Sequence, residues 1–572
     1  MTPAGARALT RLVNGAGARV ARIAPRRVLA VGTLALLALR IAISLARTGP
    51  VVMADEAGYL LNARILAGGM PAQMGSSPFY RGGYSLLIAP ILSLDGDPVA
   101  AYHAVLVLNA LLAACLVPLL YLLLTRCVDV SPAVAAWAAL AGAAYPSVTV
   151  LSQVALSENA LFALTVAWLL CIGLAARGGL PAAVSIGWAA AIGLSAAALW
   201  TVHGRMVVAV GVTALGLVFA AARRRLGVAA AGAGLAALAC GMLAGRLLDD
   251  WLLATNYAGD AHLDELKTAL APLHDADGML AVVRNLAGQG WYLLTATLGI
   301  VLLVAPLAVA RLRTGRGRPG DVVLAAMLMA TAGLLVVSAL WFATTTRPDQ
   351  LIYGRYVEPL VPALVAVGLA LLVRAERGVP VRALVAGLAA LTVVVAALRV
   401  GADVPGEASR WNVAALPSVT GDLGAPVIAL GGIVACAALC ALAFVARRRP
   451  GALAPLAIAL FVPTTAYGVY LPVLRSQRDV YPAGWTSPRP VAERLGAQAV
   501  GYDLDRFDHV RVKVYQWFMP HTRVVLFHGA DAGAPARVFF SARRLSGRLA
   551  RPPAVAVWTD PGADQALWRR AP

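Results

Sequence analysis

Two adjacent carboxylates, Asp55 and Glu56, stand in the run Met53-Ala54-Asp55-Glu56-Ala57-Gly58-Tyr59-Leu60-Leu61, just past the first long apolar stretch. A positioned carboxylate can take a proton from a hydroxyl, so the pair suits a reaction that activates an alcohol. Ala57, Leu60, Leu61 and Ile65 recur at helical spacing. That predicts a helix lying along a membrane interface with both acids in its first turn. The alternative is structural, because Asp caps helices well and acidic side chains favour the first turn.

Four further clusters carry charge at the ends of apolar runs, three of them beside Gly and aromatic residues. In Ser77-Pro78-Phe79-Tyr80-Arg81-Gly82-Gly83-Tyr84-Ser85-Leu86-Leu87 the chain breaks and then turns back toward the bilayer. Arg81 falls at headgroup height, where a guanidinium can hold a phosphate by paired hydrogen bonds, and Tyr84 accompanies it; a snorkelling Arg gives the same pattern. Ser157-Glu158-Asn159 sets a carboxylate at the head of an apolar run, as a functional acid or as an acidic first turn behind a Ser cap. Trp200-Thr201-Val202-His203-Gly204-Arg205 is a tight turn between two apolar runs. Tyr353-Gly354-Arg355-Tyr356-Val357-Glu358-Pro359 opens another run. Both turns also fit plain interfacial anchoring, and His203 alone reads more simply as structural than as a metal ligand. Taken together, two or three carboxylates and two or three arginines suit a phosphate-bearing, hydroxyl-activating reaction.

The elements that must position these groups are membrane helices. Of 572 residues, 60% are hydrophobic and 13% charged, and the mean hydropathy is +0.76. Soluble domains carry about 25% charged residues, so the composition is that of a membrane protein. The net charge of +20 does not indicate a nucleic-acid partner: Lys occurs only at Lys267 and Lys513, and the arginines cluster in short connectors. A span needs about 20 apolar residues, and on that scale about thirteen candidates are found. They are Val28–Ala46, Val99–Leu124, Pro132–Val150, Asn159–Ala176, Ala182–Val202, Met206–Ala222, Val228–Gly245, Trp291–Ala310, Val322–Trp341, Val357–Val373, Ala383–Leu398, Pro426–Ala446 and Ala452–Val473. With the N-terminus inside, Arg126, Arg177, Arg223 to Arg225, Arg311 to Arg318, Arg374 to Arg382 and Arg447 to Arg449 all fall in cytoplasmic connectors.

The expected fold is therefore an all-α polytopic membrane protein with a small α/β domain at its C-terminal end. Residues 1–27 form a basic cytoplasmic tail. Residues 28–473 form the transmembrane domain, with external segments at 47–98 and 249–290, and 474–572 form the extracytoplasmic domain. In that domain, strand-like runs at Ala499–Tyr502, Arg523–Phe527, Arg537–Phe540 and Ala554–Trp558 alternate with helix-like Pro490–Gly496 and Val510–Phe518. The last residues read as a frayed terminus. The six cysteines lie in or beside apolar runs, which favours buried thiols over disulfides or a metal site.

In order and sidedness, Asp55-Glu56, Tyr80-Arg81-Gly82-Gly83-Tyr84, Ser157-Glu158, His203-Gly204-Arg205 and Arg355-Tyr356 resemble motifs of the GT-C superfamily. The resemblance is to its lipid A aminoarabinose transferases and protein O-mannosyltransferases. It implies an integral-membrane, cell-membrane glycosyltransferase that moves a sugar, with inversion, from a polyprenyl-phosphate donor to an acceptor hydroxyl on an envelope glycan, lipid or protein. On that basis Asp55 is the expected general base, Glu56 orients the acceptor or Asp55, and Glu158 is a second acidic contact. Arg81, Tyr84, His203, Arg205, Arg355 and Tyr356 are the expected donor-phosphate and substrate contacts. The family often has Lys at the place of Arg81, and a Lys-Gly turn at the place of His203 to Arg205. No metal ligand set is recognisable, although some relatives use a divalent cation. An acidic cluster outside has no access to nucleotide sugars, and no phosphate-binding Gly-rich loop is found. The rival readings are a transporter or flippase, which predicts charges near mid-span in two related halves, an external polysaccharide ligase, and a membrane scaffold.

Overall fold

The structure is a computed structural model. It describes residues 24–572 apart from 75–77, 95, 258–269, 314–316, 346, 348, 375–379, 401–408, 418–423, 506–508, 529–535, 546–548, 550–552, 562 and 571–572. Apolar runs become helices, several of which begin at Pro (Pro25, Pro98, Pro132, Pro146, Pro319) and two of which have an Asp cap, Asp97 and Asp275. In chain order these are α1 Pro25–Ser44, α2 Met53–Leu66, α3 Gly82–Leu92, α4 Pro98–Leu122, α5 Pro132–Ala143, α6 Pro146–Leu151, α7 Glu158–Ala175, α8 Ala182–Val202 and α9 Val207–Ala222. They continue as α10 Val228–Asn256, α11 Ala276–Ala296, α12 Ile300–Arg313, α13 Pro319–Ala343, α14 Val361–Arg374, α15 Val381–Val400, α16 Gly424–Arg448 and α17 Leu453–Gly468.

Thirteen spans were expected. Among the described residues, ten helices are long and apolar enough to cross a membrane, or eleven if α11 and α12, which meet at 96°, count as one. The shortfall has local causes. Pro146 starts a new helix, and the residue before it, Tyr145, is extended (φ −55°, ψ 134°), so the expected span Pro132–Val150 breaks in two. The tenth candidate opens as a 3₁₀ turn, Glu358–Leu360, leaving a 14-residue α14. Helices of 12 to 14 residues reach about 18–21 Å, short of a core about 30 Å thick. In contrast, α10 runs 29 residues to Asn256, so Asp249, expected to open an external segment, lies inside a helix.

The expected interfacial helix is also different. Ala57, Tyr59, Leu60, Leu61, Asn62 and Ala63 of α2 are all buried. The segment is covered because it lies between α3 and a helix of the C-terminal domain, rather than on lipid. That domain contains α18 Ser476–Val480, α19 Arg489–Arg494 and α20 His509–Phe518, with β1 Ala499–Asp503, β2 Arg523–Phe527, β3 Val538–Ala542, β4 Ala554–Asp560 and β5 Gln565–Arg570. The sheet order is β2-β1-β3-β5-β4: β1 runs parallel to β2 and β3, and β5 pairs antiparallel with β3 and β4. The expected frayed end is thus an interior strand. Its Trp and paired Arg read as polar surface, yet Gln565, Ala566 and Leu567 are all buried, on the two faces of the strand in turn. The domain docks through Tyr481, Trp485 and Phe518, the last two packing edge to face on Tyr481, and the Tyr481 hydroxyl donates to the Pro50 carbonyl at 2.7 Å.

Several arginine-bearing connectors meet at the far end of α4. Arg177 donates to the Arg126 carbonyl at 2.5 Å, Arg374 to the Val128 carbonyl at 3.2 Å, and Arg311 pairs with Asp321 at 2.5 Å. At the other end, Glu56 anchors α2. Its carboxylate accepts from the Val51 and Val52 N–H groups (2.7 and 2.8 Å), from the Tyr102 hydroxyl (2.6 Å) and from the Ala155 N–H (2.8 Å), with no exposure. Removing a buried carboxylate with four donors strands all four, at a cost of roughly 3–5 kcal/mol. Glu56→Ala is accordingly expected to lower the thermal unfolding midpoint of the detergent-solubilised chain by several degrees. An unchanged midpoint would show that the four donors find other partners.

Candidate active site

Four side chains from distant parts of the chain form one ladder of charge. The Arg355 guanidinium sits in the middle: Nη1 lies 2.6 Å from Asp55 Oδ2, Nε 2.7 Å from Glu158 Oε1, and Nη2 3.2 Å from Glu158 Oε2. Arg205 Nη2 reaches Glu158 Oε1 at 2.8 Å. Glu158 and Arg205 are shut away, with side-chain exposures of 0% and 1%, and Arg355 shows 7%. Asp55 alone is open, at 31%. Two carboxylates against two guanidiniums make the ladder neutral, which is how a buried charge set becomes tolerable.

Local structure explains each placement. Asp55 and Glu56 share the first turn of α2 but point about 100° apart, so one faces the opening while the other is buried as the anchor. Glu158 begins α7 directly after a turn that the Asn159 amide ties down by donating to the carbonyls of Leu151, Val154 and Leu156. Arg205 lies in the one-turn 3₁₀ segment Gly204–Met206, with its guanidinium 5.0 Å from the Tyr356 ring centroid. The Nε and Nη1 groups of Arg205 are buried with no acceptor among the described residues. Arg355 is held because the N–H groups of Gly354 and Arg355 both donate to the Asn412 carbonyl. Residue 354 must be Gly, since a Cβ there would overlap the ring of Tyr292.

Other expected residues stand outside the ladder. Arg81 pairs with Asp249 at 2.9 Å and lies 3.9 Å over the Trp200 ring; Asp249 also accepts from the Gly82 N–H at 2.9 Å. Tyr84 is fully buried and donates to Asn109 at 2.9 Å, so it supports α3 from below. His203 packs against Tyr356 and its Nδ1 accepts from the Arg205 N–H. Burial, and then the nearby Arg205 charge, hold its imidazole well below the ordinary value, so it stays neutral. Three participants were not anticipated. The Tyr80 hydroxyl donates to Asp55 Oδ1 at 3.3 Å, the Tyr59 hydroxyl donates to Ser157 at 3.0 Å, and Asp249 neutralises Arg81. The acidic pair Asp249-Asp250 within Leu247 to Leu253 was a visible signal for the last of these.

No family model matches the chain, and no curated protein matches it. Solved structures do. ArnT from Cupriavidus metallidurans, bound to undecaprenyl phosphate, superposes with a TM-score of 0.53 at 14% identity, over 94% of this chain and 97% of that one. The fold is GT-C-like. The arabinosyltransferase EmbB from Mycobacterium smegmatis is a looser likeness, with a TM-score of 0.41 at 17% identity, covering 83% of this chain and 44% of that one. Within this GT-C-like frame the ladder makes its own prediction. Glu158→Gln leaves the Arg355 and Arg205 charges with one carboxylate between them, which costs roughly 3–5 kcal/mol for a buried pair. The variant is expected to unfold at a clearly lower temperature than the wild type, whereas Asp55→Asn, altered at an open position, should unfold close to it. Equal losses in both would contradict the central place of Glu158.

Proposed function

We propose that the chain is an integral-membrane inverting glycosyltransferase. It moves a sugar from a polyprenyl-phosphate donor to an acceptor hydroxyl on the extracytoplasmic side. The observation that carries this reading is the ladder: one open carboxylate, held by Arg355 and backed by Arg205, whose Nε and Nη1 are without an acceptor among the described residues. The shared fold with a protein crystallised with undecaprenyl phosphate supports the lipid-phosphate donor. The gathering of Arg126, Arg177, Arg311 and Arg374 at the end of the bundle away from the ladder supports a ladder outside and a cytoplasmic far end.

In this mechanism Asp55 takes the proton from the acceptor hydroxyl as its oxygen attacks the anomeric carbon of the donor. The bond from that carbon to the phosphate oxygen breaks, and the leaving polyprenyl phosphate keeps the electron pair. In-line attack inverts the anomeric centre. Arg205, through its unpaired Nε and Nη1, and Arg355 receive the charge that builds on the phosphate. When Arg355 turns toward that phosphate, it releases the Asp55 oxygen it now holds, so donor arrival frees the base. Glu158 keeps both guanidiniums in place. Among the described residues no group of three His, Cys, Asp or Glu side chains could hold a metal, and no step here is routed through one.

The test is transfer by the purified full chain from radiolabelled polyprenyl-phosphate sugars. Asp55→Asn is expected to lower the rate about 10²–10⁴-fold while membrane insertion is unchanged. Transfer at the wild-type rate would remove Asp55 from the role of base. Arg205→Gln is expected to raise the donor KM roughly 10–100-fold, the value of one charge-assisted hydrogen bond or two. An unchanged KM would exclude Arg205 from the phosphate site.

A further inference from the structure

A cavity of about 330 Å³ opens away from Asp55, at the opposite end of α2. Arg64 lies nine positions after Asp55, about 13 Å along the helix. The cavity is bounded by Arg64, Gly68 and Gly69 after α2, by Ser93 and Leu94 between α3 and α4, and by Trp517 and His521 of the C-terminal domain. Two parts of the fold that are far apart in sequence therefore make one pocket.

Its charge is unusual. Arg64 is only 7% exposed, yet it forms no ion pair with any described carboxylate. Its Nε donates to the Met70 carbonyl at 3.2 Å and its Nη1 to the Gln516 carbonyl at 2.5 Å, which fixes the guanidinium and leaves Nη2 without an acceptor among the described residues. Burial pushes its pKa down to about 10, still a cation at neutral pH, with no acidic neighbour acting the other way. Trp517, which also lines the cavity and is 3% exposed, carries an indole N–H that is buried without an acceptor among the described residues. Buried cations are normally neutralised, and the carboxyl end of α2 supplies only a weak partial charge. The backbone is shaped to the side chain. Gly68 takes φ +83°, the Gly69 N–H caps the Arg64 carbonyl at 2.9 Å, and a Cβ on Gly69 would lie 2.6 Å from the Arg64 stem. Leu94, 86% exposed, projects from the rim. Asp95, next along that loop, lies outside the described residues.

We propose that this pocket binds a phosphate group, held by Arg64 with the Trp517 indole N–H. The exposed Leu94 at its rim points to a membrane phospholipid headgroup as the source. The site is separate from the ladder and does not depend on the glycosyl-transfer reading. The test uses full-length chain from nanodiscs of phosphatidylglycerol or phosphatidylcholine, with retained phospholipid counted by native mass spectrometry. A second arm adds inorganic phosphate to delipidated chain and follows the thermal midpoint.

Wild type is expected to retain phosphatidylglycerol, and Arg64→Gln to lower retention roughly tenfold or more. Because Arg64 also ties Met70 and Gln516, Trp517→Phe is the second variant; it keeps a ring, loses the N–H, and should lower retention roughly threefold. Asp55→Asn should retain lipid as the wild type does, so a chain without transferase activity still reports on this pocket. Arg64-dependent binding of inorganic phosphate without lipid retention supports the phosphate site and assigns it a water-soluble source. Binding equal in wild type and both variants, or none in either arm, overturns the proposal.

Discussion

The arrangement depends on one guanidinium. Arg355 reaches Asp55 with one nitrogen and Glu158 with two, joining residues 300 and 197 positions apart. A fork that engages a carboxylate through two parallel bonds fixes orientation as well as distance, which Lys could not do. The backbone behind it is equally constrained, by the Asn412 carbonyl that takes two N–H groups and by the Gly354 contact with Tyr292. Tyr292 in turn donates to Glu358 and accepts from the Ala415 N–H, so the loop bearing Arg355 is pinned from below. Buried ion pairs are seldom retained for stability, because well-packed apolar groups of like volume do as well. A ladder with one open end and unused donors is better explained by what it can bind.

The same contrast separates the arginines. Arg81 has a partner in Asp249 and a ring beneath it, with its Nε left without an acceptor among the described residues. Arg205 shares Glu158 with Arg355 and keeps two buried N–H groups uncommitted. Charge compensation thus sets Arg81 to holding α3 against α10 with one N–H group uncommitted, and leaves Arg205 with two, while the three nitrogens of Arg355 are all engaged. Proximity in sequence to an aromatic and Gly-rich turn does not distinguish these cases; the partner does.

That distinction marks what the sequence could reveal. Asp55, Glu158, Arg205 and Arg355 were visible as charges placed where apolar runs begin or end, beside residues that break helices. Which acid meets which base was hidden, because the contacts join residues hundreds of positions apart and no periodicity encodes them. Glu56 was misleading for a simpler reason: it neighbours Asp55, yet one helical step turns it into a buried anchor with four donors. Most long helices were legible, whereas their lengths and breaks were not: α11 begins at Ala276 inside the expected external segment, and the expected span Trp291–Ala310 straddles the 96° bend between α11 and α12. Pro146 shortens one expected span, and the run to Asn256 extends another past two carboxylates that had looked like a loop. The strand Gln565–Arg570 was hidden by its terminal position and its Arg pair, although it lies inside the sheet.

α2 connects these observations. Its first turn presents Asp55 and is locked by Glu56; its last turn presents Arg64, which is locked to Gln516 of the C-terminal domain. Fourteen residues make a rod of about 21 Å. A helix of that length packed on both sides transmits displacement rather than absorbing it, since close-packed interiors have little free volume to yield into. One short helix thus carries both the open carboxylate and the seat of the C-terminal domain, anchored at its first turn by Glu56 and at its last by Arg64.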